Sequence, residues 1–224
     1  MRFPPLRLRP TSTPAILSAN RLISRHGRLG QIQLARKVFD EMPERTVTSF
    51  NSLIAAYFQN NQHHQARHLF ATMPQRNTAS YNTMISGLIN SYQFLAALSL
   101  FNSMPDPNVI SWTTILRGYV QEGLVSEAER FFSRMPEKNV VSWTVMLDGL
   151  NKEGRVDDAR RLYDEMPEKD VVTRTSMVCG YCQAGRTREA REVFDEMPKR
   201  NVISWTVMIS GYAHNGKVDL ARKL

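Results

Sequence analysis

Cysteine is almost missing from this 224-residue chain: Cys179 and Cys182 are the only two, too few for a disulfide framework and in keeping with a reducing compartment. No apolar run approaches the roughly 18 residues of a membrane-spanning helix, so no membrane partner is expected. Catalytic groupings are missing as well. A zinc-dependent nucleobase deaminase needs a His-x-Glu pair and a downstream Pro-Cys-x-x-Cys. No histidine here has Glu two residues later, and no proline precedes Cys179. There is neither a glycine-rich phosphate loop nor a nucleophile elbow. The Cys179–Cys182 spacing lacks the second ligand pair that such metal sites normally need. The chain reads as a non-enzyme with no cofactor and no metal.

Acid is absent from the first thirty residues, which carry Arg2, Arg7, Arg9, Arg21, Arg25 and Arg28. Those six arginines account for all but +2 of the net charge of +8, so the remaining 194 residues are nearly neutral. Basicity therefore says little about nucleic acid. An acid-free stretch that mixes arginine with Thr11, Ser12, Thr13 and Ser18 has the composition of an organellar transit peptide, set at 1–15 and extending as far as about residue 30. Its arginine density points to the mitochondrion, with the chloroplast as the alternative. A basic, disordered arm is the plainer reading.

What the sequence has is a period. Met-Pro recurs at Met42, Met73, Met104, Met135, Met166 and Met197, each pair 31 residues after the last. A fixed period in this range signals a solenoid. Complete units cover 47–77, 78–108, 109–139, 140–170 and 171–201; a degenerate unit fits 16–46, and a truncated one covers 202–224. Alanine keeps the register at Ala35, Ala66, Ala97, Ala128, Ala159, Ala190 and Ala221. Large rings do so at Phe39, Phe70, Phe101, Phe132, Tyr163 and Phe194.

Each unit reads as two antiparallel helices. In the third, Ile115, Leu116, Tyr119 and Val120 lie at helical spacing, and Gly123 supplies a C-cap. Asn61 and Tyr92 stand where other units have that glycine. A second helix is expected from about Ser126 to Arg134, with Ser126 as N-cap and Glu129 completing a capping box. Pro136 helps stop it. One hairpin cannot bury its apolar face, but stacked neighbours can, leaving a continuous concave surface. Trp112, Trp143 and Trp205 share a register with Phe50, Tyr81 and Arg174 and read as packing between helices rather than as stacking platforms. His63, His64 and His68 read as solvated surface.

The pattern Asn-Val-Ile-Ser-Trp-Thr-x-x-Ile-x-Gly-Tyr, followed by a turn glycine, alanine, phenylalanine and Met-Pro, resembles the pentatricopeptide repeat. The 31-residue length is similar to the short repeats of the plant organellar PLS-type subclass; units 109–139 and 140–170 are the nearest to it. The resemblance covers nearly all the chain from about residue 16. It implies an all-α fold, a right-handed α-solenoid of tandem helix–turn–helix repeats, that binds single-stranded organellar RNA one base per repeat.

In that family the fifth and last residues of a unit read the base. Carried over, the pairs are Asn51 with Asn77, Asn82 with Asn108, Thr113 with Asn139, Thr144 with Asp170 and Thr175 with Asn201, and Thr206 opens the next. Ionised Asp only accepts hydrogen bonds, which suits a base with a ring N–H; Asn can donate to a bare ring nitrogen. With the family's association of Thr with purines and Asn with pyrimidines, the implied ligand is pyrimidine-pyrimidine-A-G-A, 5′ to 3′. Ile110, Val141, Val172 and Ile203, second in their units, are expected to flank the bases; Thr48 and Ala79 are poorer there. Asn20 with Thr46 gives no readable pair.

Asn and Thr at helix starts are commonly caps that need no ligand. Against that stands their restriction to Asn or Thr at one position and Asn or Asp at the other in all five complete units. The resemblance further implies target-site recognition for C-to-U editing or other RNA processing, with a deaminase or editing factor acting in trans. The chain stops inside a repeat and resembles an N-terminal fragment. The alternative is a protein-binding helical scaffold, whose groove would vary those positions more freely.

Overall fold

The computed structural model describes residues 13–224, and every regular element among them is an α-helix. The address expected at the N-terminus lies mostly outside the described residues. Helices α1 (Thr13–Arg28) and α2 (Ile32–Asp40) form the unit read as degenerate. The complete units are α3 (Val47–Gln59) with α4 (His63–Ala71), α5 (Thr78–Asn90) with α6 (Phe94–Asn102), α7 (Val109–Gln121) with α8 (Val125–Ser133), α9 (Val140–Lys152) with α10 (Val156–Glu165), and α11 (Val171–Gln183) with α12 (Thr187–Asp195). Helices α13 (Val202–His214) and α14 (Val218–Lys223) follow. This is a tandem array of helical hairpins, an α-solenoid.

The chain divides into two compact units, one up to Ile115 and one from Leu116, the division falling inside α7. In the first, α1, α3 and α5 pack side by side as an inner row, each carrying its own second helix on the outside. In the second, α9, α11 and α13 form the same row, backed by α10, α12 and α14. Because Ala19 and Ile23 are buried there, α1 is part of the packed structure. An address extending to residue 30 would therefore include a structural helix.

The periodic residues build the core. Ala35, Ala66, Ala97, Ala128, Ala159 and Ala190 have no exposed surface, and all six Met-Pro methionines are buried. Any larger side chain at those alanines would overpack the helix contact, at a cost of about 1–3 kcal/mol. The ring at the fourth position of a unit meets the ring of the preceding outer helix edge to face: Phe50 on Phe39, Tyr81 on Phe70, Trp112 on Phe101, Trp143 on Phe132 and Trp205 on Phe194, with centroids 4.9–5.3 Å apart. The tryptophans are packing residues, as expected. Arg174 replaces the ring once, and its guanidinium donates to Tyr163 Oη at 3.4 Å.

The turn inside each hairpin explains one departure from expectation. Leu124 N–H donates to Tyr119 O at 2.9 Å and Gly123 N–H to Val120 O at 3.2 Å, the two bonds of a Schellman ending. Gly123 takes φ 72°; Asn61 and Tyr92 reach φ 56° at the equivalent place, a conformation that costs a residue with a side chain about 1–2 kcal/mol. This tight ending delivers the chain straight into α8, which begins at Val125 after Leu124 with no side-chain cap. The capping box of Ser126 with Glu129 is thus corrected: Ser126 already lies within the helix. Glu129 instead accepts from Arg155 of the next hairpin, at 2.7 and 3.0 Å.

Basic residues near the unit ends are largely used by the fold. Arg45, Arg76 and Arg200 donate to the last carbonyls of the preceding outer helices and lie over their rings. Lys138 and Lys169 donate instead to Met135 O and Met166 O, just past the ends of α8 and α10, at 3.2 and 2.7 Å, and also lie over the rings of Phe132 and Tyr163.

Candidate functional site

The last residue of every complete unit is exposed and begins the inner helix of the next unit. Asn77, Asn139, Asp170 and Asn201 are the N-caps of α5, α9, α11 and α13. Asn108 makes the same bonds ahead of α7, its Oδ1 accepting from Ser111 N–H at 3.0 Å. In each case Oδ1 faces the helix and accepts from the backbone N–H three residues on, at 2.8–3.0 Å. The cap therefore sets which atom is left over. An asparagine is left with its Nδ2 donor outside the cap, while Asp170 is left with Oδ2, an acceptor. The capping role and a reading role use different atoms of one side chain and do not compete.

The partner of this cap escaped the sequence reading. The third residue of each inner helix, Ser49, Ser80, Ser111, Ser142, Thr173 or Ser204, is fully buried. In all but the α11 cap its hydroxyl accepts from the backbone N–H of the cap residue, at 3.0–3.4 Å, completing a capping box. The signal was present as Asn-x-x-Ser at the end of four of the five complete units, with Asp170-Val-Val-Thr173 at the other.

The fifth residues lie one turn into the inner helices and are less accessible. Thr113, Thr144 and Thr175 are only 5–9% exposed, and Thr206 is exposed. Each threonine hydroxyl donates to the carbonyl four residues back, at 2.6–2.8 Å, so toward a ligand it offers lone pairs. Asn51 and Asn82 are half-buried, and their Oδ1 atoms have no hydrogen-bond partner. A buried acceptor left in that state costs about 1–3 kcal/mol, so both sites favour an incoming donor.

The structure brings two of the expected pairs into direct or bridged contact. Asn82 Nδ2 donates to Asn108 Oδ1 at 3.3 Å, leaving Asn82 Oδ1 and Asn108 Nδ2 as an adjacent acceptor and donor. Thr144 and Asp170 are joined through Thr173, whose hydroxyl is 2.9 Å from Thr144 Oγ1 and 2.8 Å from Asp170 Oδ1. Thr175 and Asn201 share no bond but line one cleft of about 360 Å³. Val172 and Ile203 form its apolar walls. Its volume lies within the ~300–1,000 Å³ typical of small-molecule sites. Ile110, Val141, Val172 and Ile203 are 53–65% exposed, unusual for such side chains and suited to flat apolar contact.

The cleft floor is nearly neutral. Asp148 and Lys152 are its charged members, and burial pushes the Asp148 carboxyl above its ordinary pKa. Burial likewise raises both thiols, Cys182 to about 11, so neither is poised as a thiolate. Thr46 caps α3 with the same geometry, but its single polar side-chain atom is occupied by the cap; Asn20 is buried with Oδ1 unpartnered. His63 is not simply solvated surface: it stacks on Phe58 at 5.6 Å and meets Gln93 Nε2 through Nδ1 at 3.0 Å.

Tandem helical hairpins whose junction residues recur at a 31-residue spacing define a helical-repeat protein. The repeats themselves name the kind. Family models described as PPR repeat match residues 18–47, 48–78, 79–109, 168–198 and 203–224, and one described as PPR repeat family matches 107–141 and 138–171. The chain belongs to the pentatricopeptide repeat family. Among solved structures it is similar to the pentatricopeptide repeat protein PPR10 in complex with an 18-nucleotide psaJ RNA element. That match has a TM-score of 0.63 and 22% identity over 93% of this chain and 32% of that one. A triple cysteine-to-serine variant of PPR10 with the same RNA matches equally well. The chain thus spans about a third of the length of these solved relatives. No curated protein matches it.

Proposed function

We propose that this chain binds single-stranded RNA along its inner helices, one base per repeat, with the fifth and last residues of each complete unit as the readers. The observation that carries the reading is the cap: it engages Oδ1 of the exposed residues Asn77, Asn108, Asn139, Asp170 and Asn201 and so leaves one defined donor or acceptor over at the end of every complete unit. A purely structural cap has no need of the exposed aliphatic side chains beside it or of the orphaned Oδ1 atoms of Asn51 and Asn82. The RNA complex of PPR10 supports the same ligand class. The proposed core ligand is pyrimidine-pyrimidine-A-G-A, with Ile110, Val141, Val172 and Ile203 against the base faces.

The test is competition among short RNAs that carry this sequence or single changes within it. A mismatch at one well-read base should weaken binding by about 1–2 kcal/mol, on the scale of base discrimination in DNA readout. Salt should weaken binding only shallowly, because few phosphate contacts can come from a nearly neutral surface. Indifference to every base change would defeat the reading and favour a protein-binding scaffold.

The setting we propose is a plant organelle, with the chain a PLS-type member that selects sites for C-to-U editing or other processing while a deaminase or editing factor acts in trans. The 31-residue unit and the arginine-rich, acid-free N-terminus support this, the latter favouring the mitochondrion over the chloroplast. A fluorescent reporter fused behind residues 1–30 is expected to enter mitochondria; a reporter that stays in the cytosol removes the localisation.

A further inference from the structure

The fourth complete repeat ties its two readers together differently from the others. In the remaining complete repeats, the hydroxyl at the third position of the following helix reaches only the cap residue. Ser80 and Ser111 bond Asn77 and Asn108, and Ser142 and Ser204 donate to Asn139 O and Asn201 O. In the fourth, that position holds Thr173, with no exposed surface and a hydroxyl in contact with both readers.

The protons can be followed one at a time. Thr173 donates both its backbone N–H and its hydroxyl to Asp170 Oδ1, each at 2.8 Å. With its one hydroxyl proton placed there, Thr173 Oγ1 faces Thr144 as an acceptor. The single proton of Thr144 then has two acceptors behind it, Val140 O at 2.8 Å and Thr173 Oγ1 at 2.9 Å. Either choice turns the proton away from the groove. What the repeat shows a ligand is two acceptors, Thr144 Oγ1 and Asp170 Oδ2. Guanine offers two donors on its pairing edge, the ring N–H and the exocyclic amine, whereas adenine offers one donor beside a bare nitrogen.

Resting on the base-reading proposal above, we infer that Thr173, a residue of the fifth repeat, is a positioning residue for the fourth: its hydroxyl fixes the Asp170 carboxylate beside Thr144, already an acceptor through its bond to Val140 O, so the repeat selects guanine. The reading set of this repeat is therefore three residues drawn from two adjacent repeats.

Thr173→Val removes the hydroxyl and keeps the branched shape, while Thr173→Ser keeps the hydroxyl and matches the residue found at the other junctions. Binding is measured to RNAs that differ only in G or A at the fourth base, and to a second pair that differ at the base read by Thr175 and Asn201. Thr173→Val is expected to lower the G-over-A ratio at the fourth base by roughly tenfold, the scale of losing one charge-assisted hydrogen bond. The preference at the neighbouring base should stay unchanged, and Thr173→Ser should retain the wild-type ratio. If Thr173→Val does not fold, Thr173→Ala removes the same hydroxyl without adding bulk. A wild type that prefers G, with a hydroxyl-free variant that keeps the full preference, overturns the inference and leaves base reading intact. Equal weakening toward G and A reduces Thr173 to a structural cap partner and overturns it too. A wild type indifferent between G and A removes the base-reading proposal itself, and the role of Thr173 falls with it.

Discussion

Asp170→Asn is expected to move the preferred base at the fourth complete repeat from guanine to adenine. The substitution is conservative for the fold because Asn and Asp are comparable N-caps, and Oδ1 can keep its bonds to Thr173 N and Oγ1. What changes is the outward atom, from a carboxylate oxygen that accepts to an amide nitrogen that donates. Guanine's ring N–H then meets a donor, while adenine's bare nitrogen gains one. If a mismatch costs about 1–2 kcal/mol, reversing the match changes the G-to-A ratio by roughly two to four kcal/mol, or about 30- to 1,000-fold. Competition between two RNAs that differ only at this base reads the ratio directly, and melting curves of the two proteins should nearly coincide. A ratio left unmoved by the substitution would show that Asp170 caps α11 and reads nothing.

The second large effect concerns stability. Gly87 sits on the inner face of α5, where an added Cβ would lie 2.2–2.5 Å from three ring atoms of Phe58 on α3. The ring is hemmed in, being buried and stacked on His63. Gly87→Ala would gain about 1 kcal/mol of helix propensity, but forcing the ring or the helices apart costs about 1–3 kcal/mol and sometimes more. The clash involves three ring atoms far inside van der Waals contact, so the steric cost should win, by about 2 kcal/mol. For a chain of this size that is a fall of about 4–8 °C in melting temperature. In a Phe58→Ala background the same change should be tolerated, since the obstructing ring is gone, and the coupling should exceed about 1 kcal/mol. Additive losses in the double variant would mean that Gly87 does not set the approach of α3 and α5.

Much of this architecture can be read from the chain alone, because its informative residues repeat. Met-Pro, alanine and the aromatic positions recur in register, and the helices, turns and aromatic packing follow from them. Other features depend on which atom of a residue faces which neighbour, and a residue's identity does not say. Ser126 with Glu129 has the sequence of a capping box, yet the Schellman ending at Gly123 moves the N-cap of α8 two residues earlier, to Leu124, and Glu129 goes to Arg155. Gly87 lies mid-helix, where its only visible trait is poor propensity; its reason is Phe58, 29 residues earlier. The proposed reader positions rest on family resemblance, whereas the capping bonds at the unit ends, and the burial of Thr113, Thr144 and Thr175, came only with coordinates.

Because the residue that closes each unit also starts the next helix, its identity answers to two masters. Replacing a good N-cap by an aliphatic residue costs about 0.5–2 kcal/mol whatever the ligand is. That leaves a short alphabet, Asn, Asp, Ser, Thr and marginally Gly, from which any letter at Asn77, Asn108, Asn139, Asp170 or Asn201 can be drawn. Within that alphabet only Asn and Asp keep a second polar atom free once the cap is made; Thr46 shows what happens when the letter has just one. Vocabulary at this position is thus bounded by helix geometry before any target sequence exerts selection.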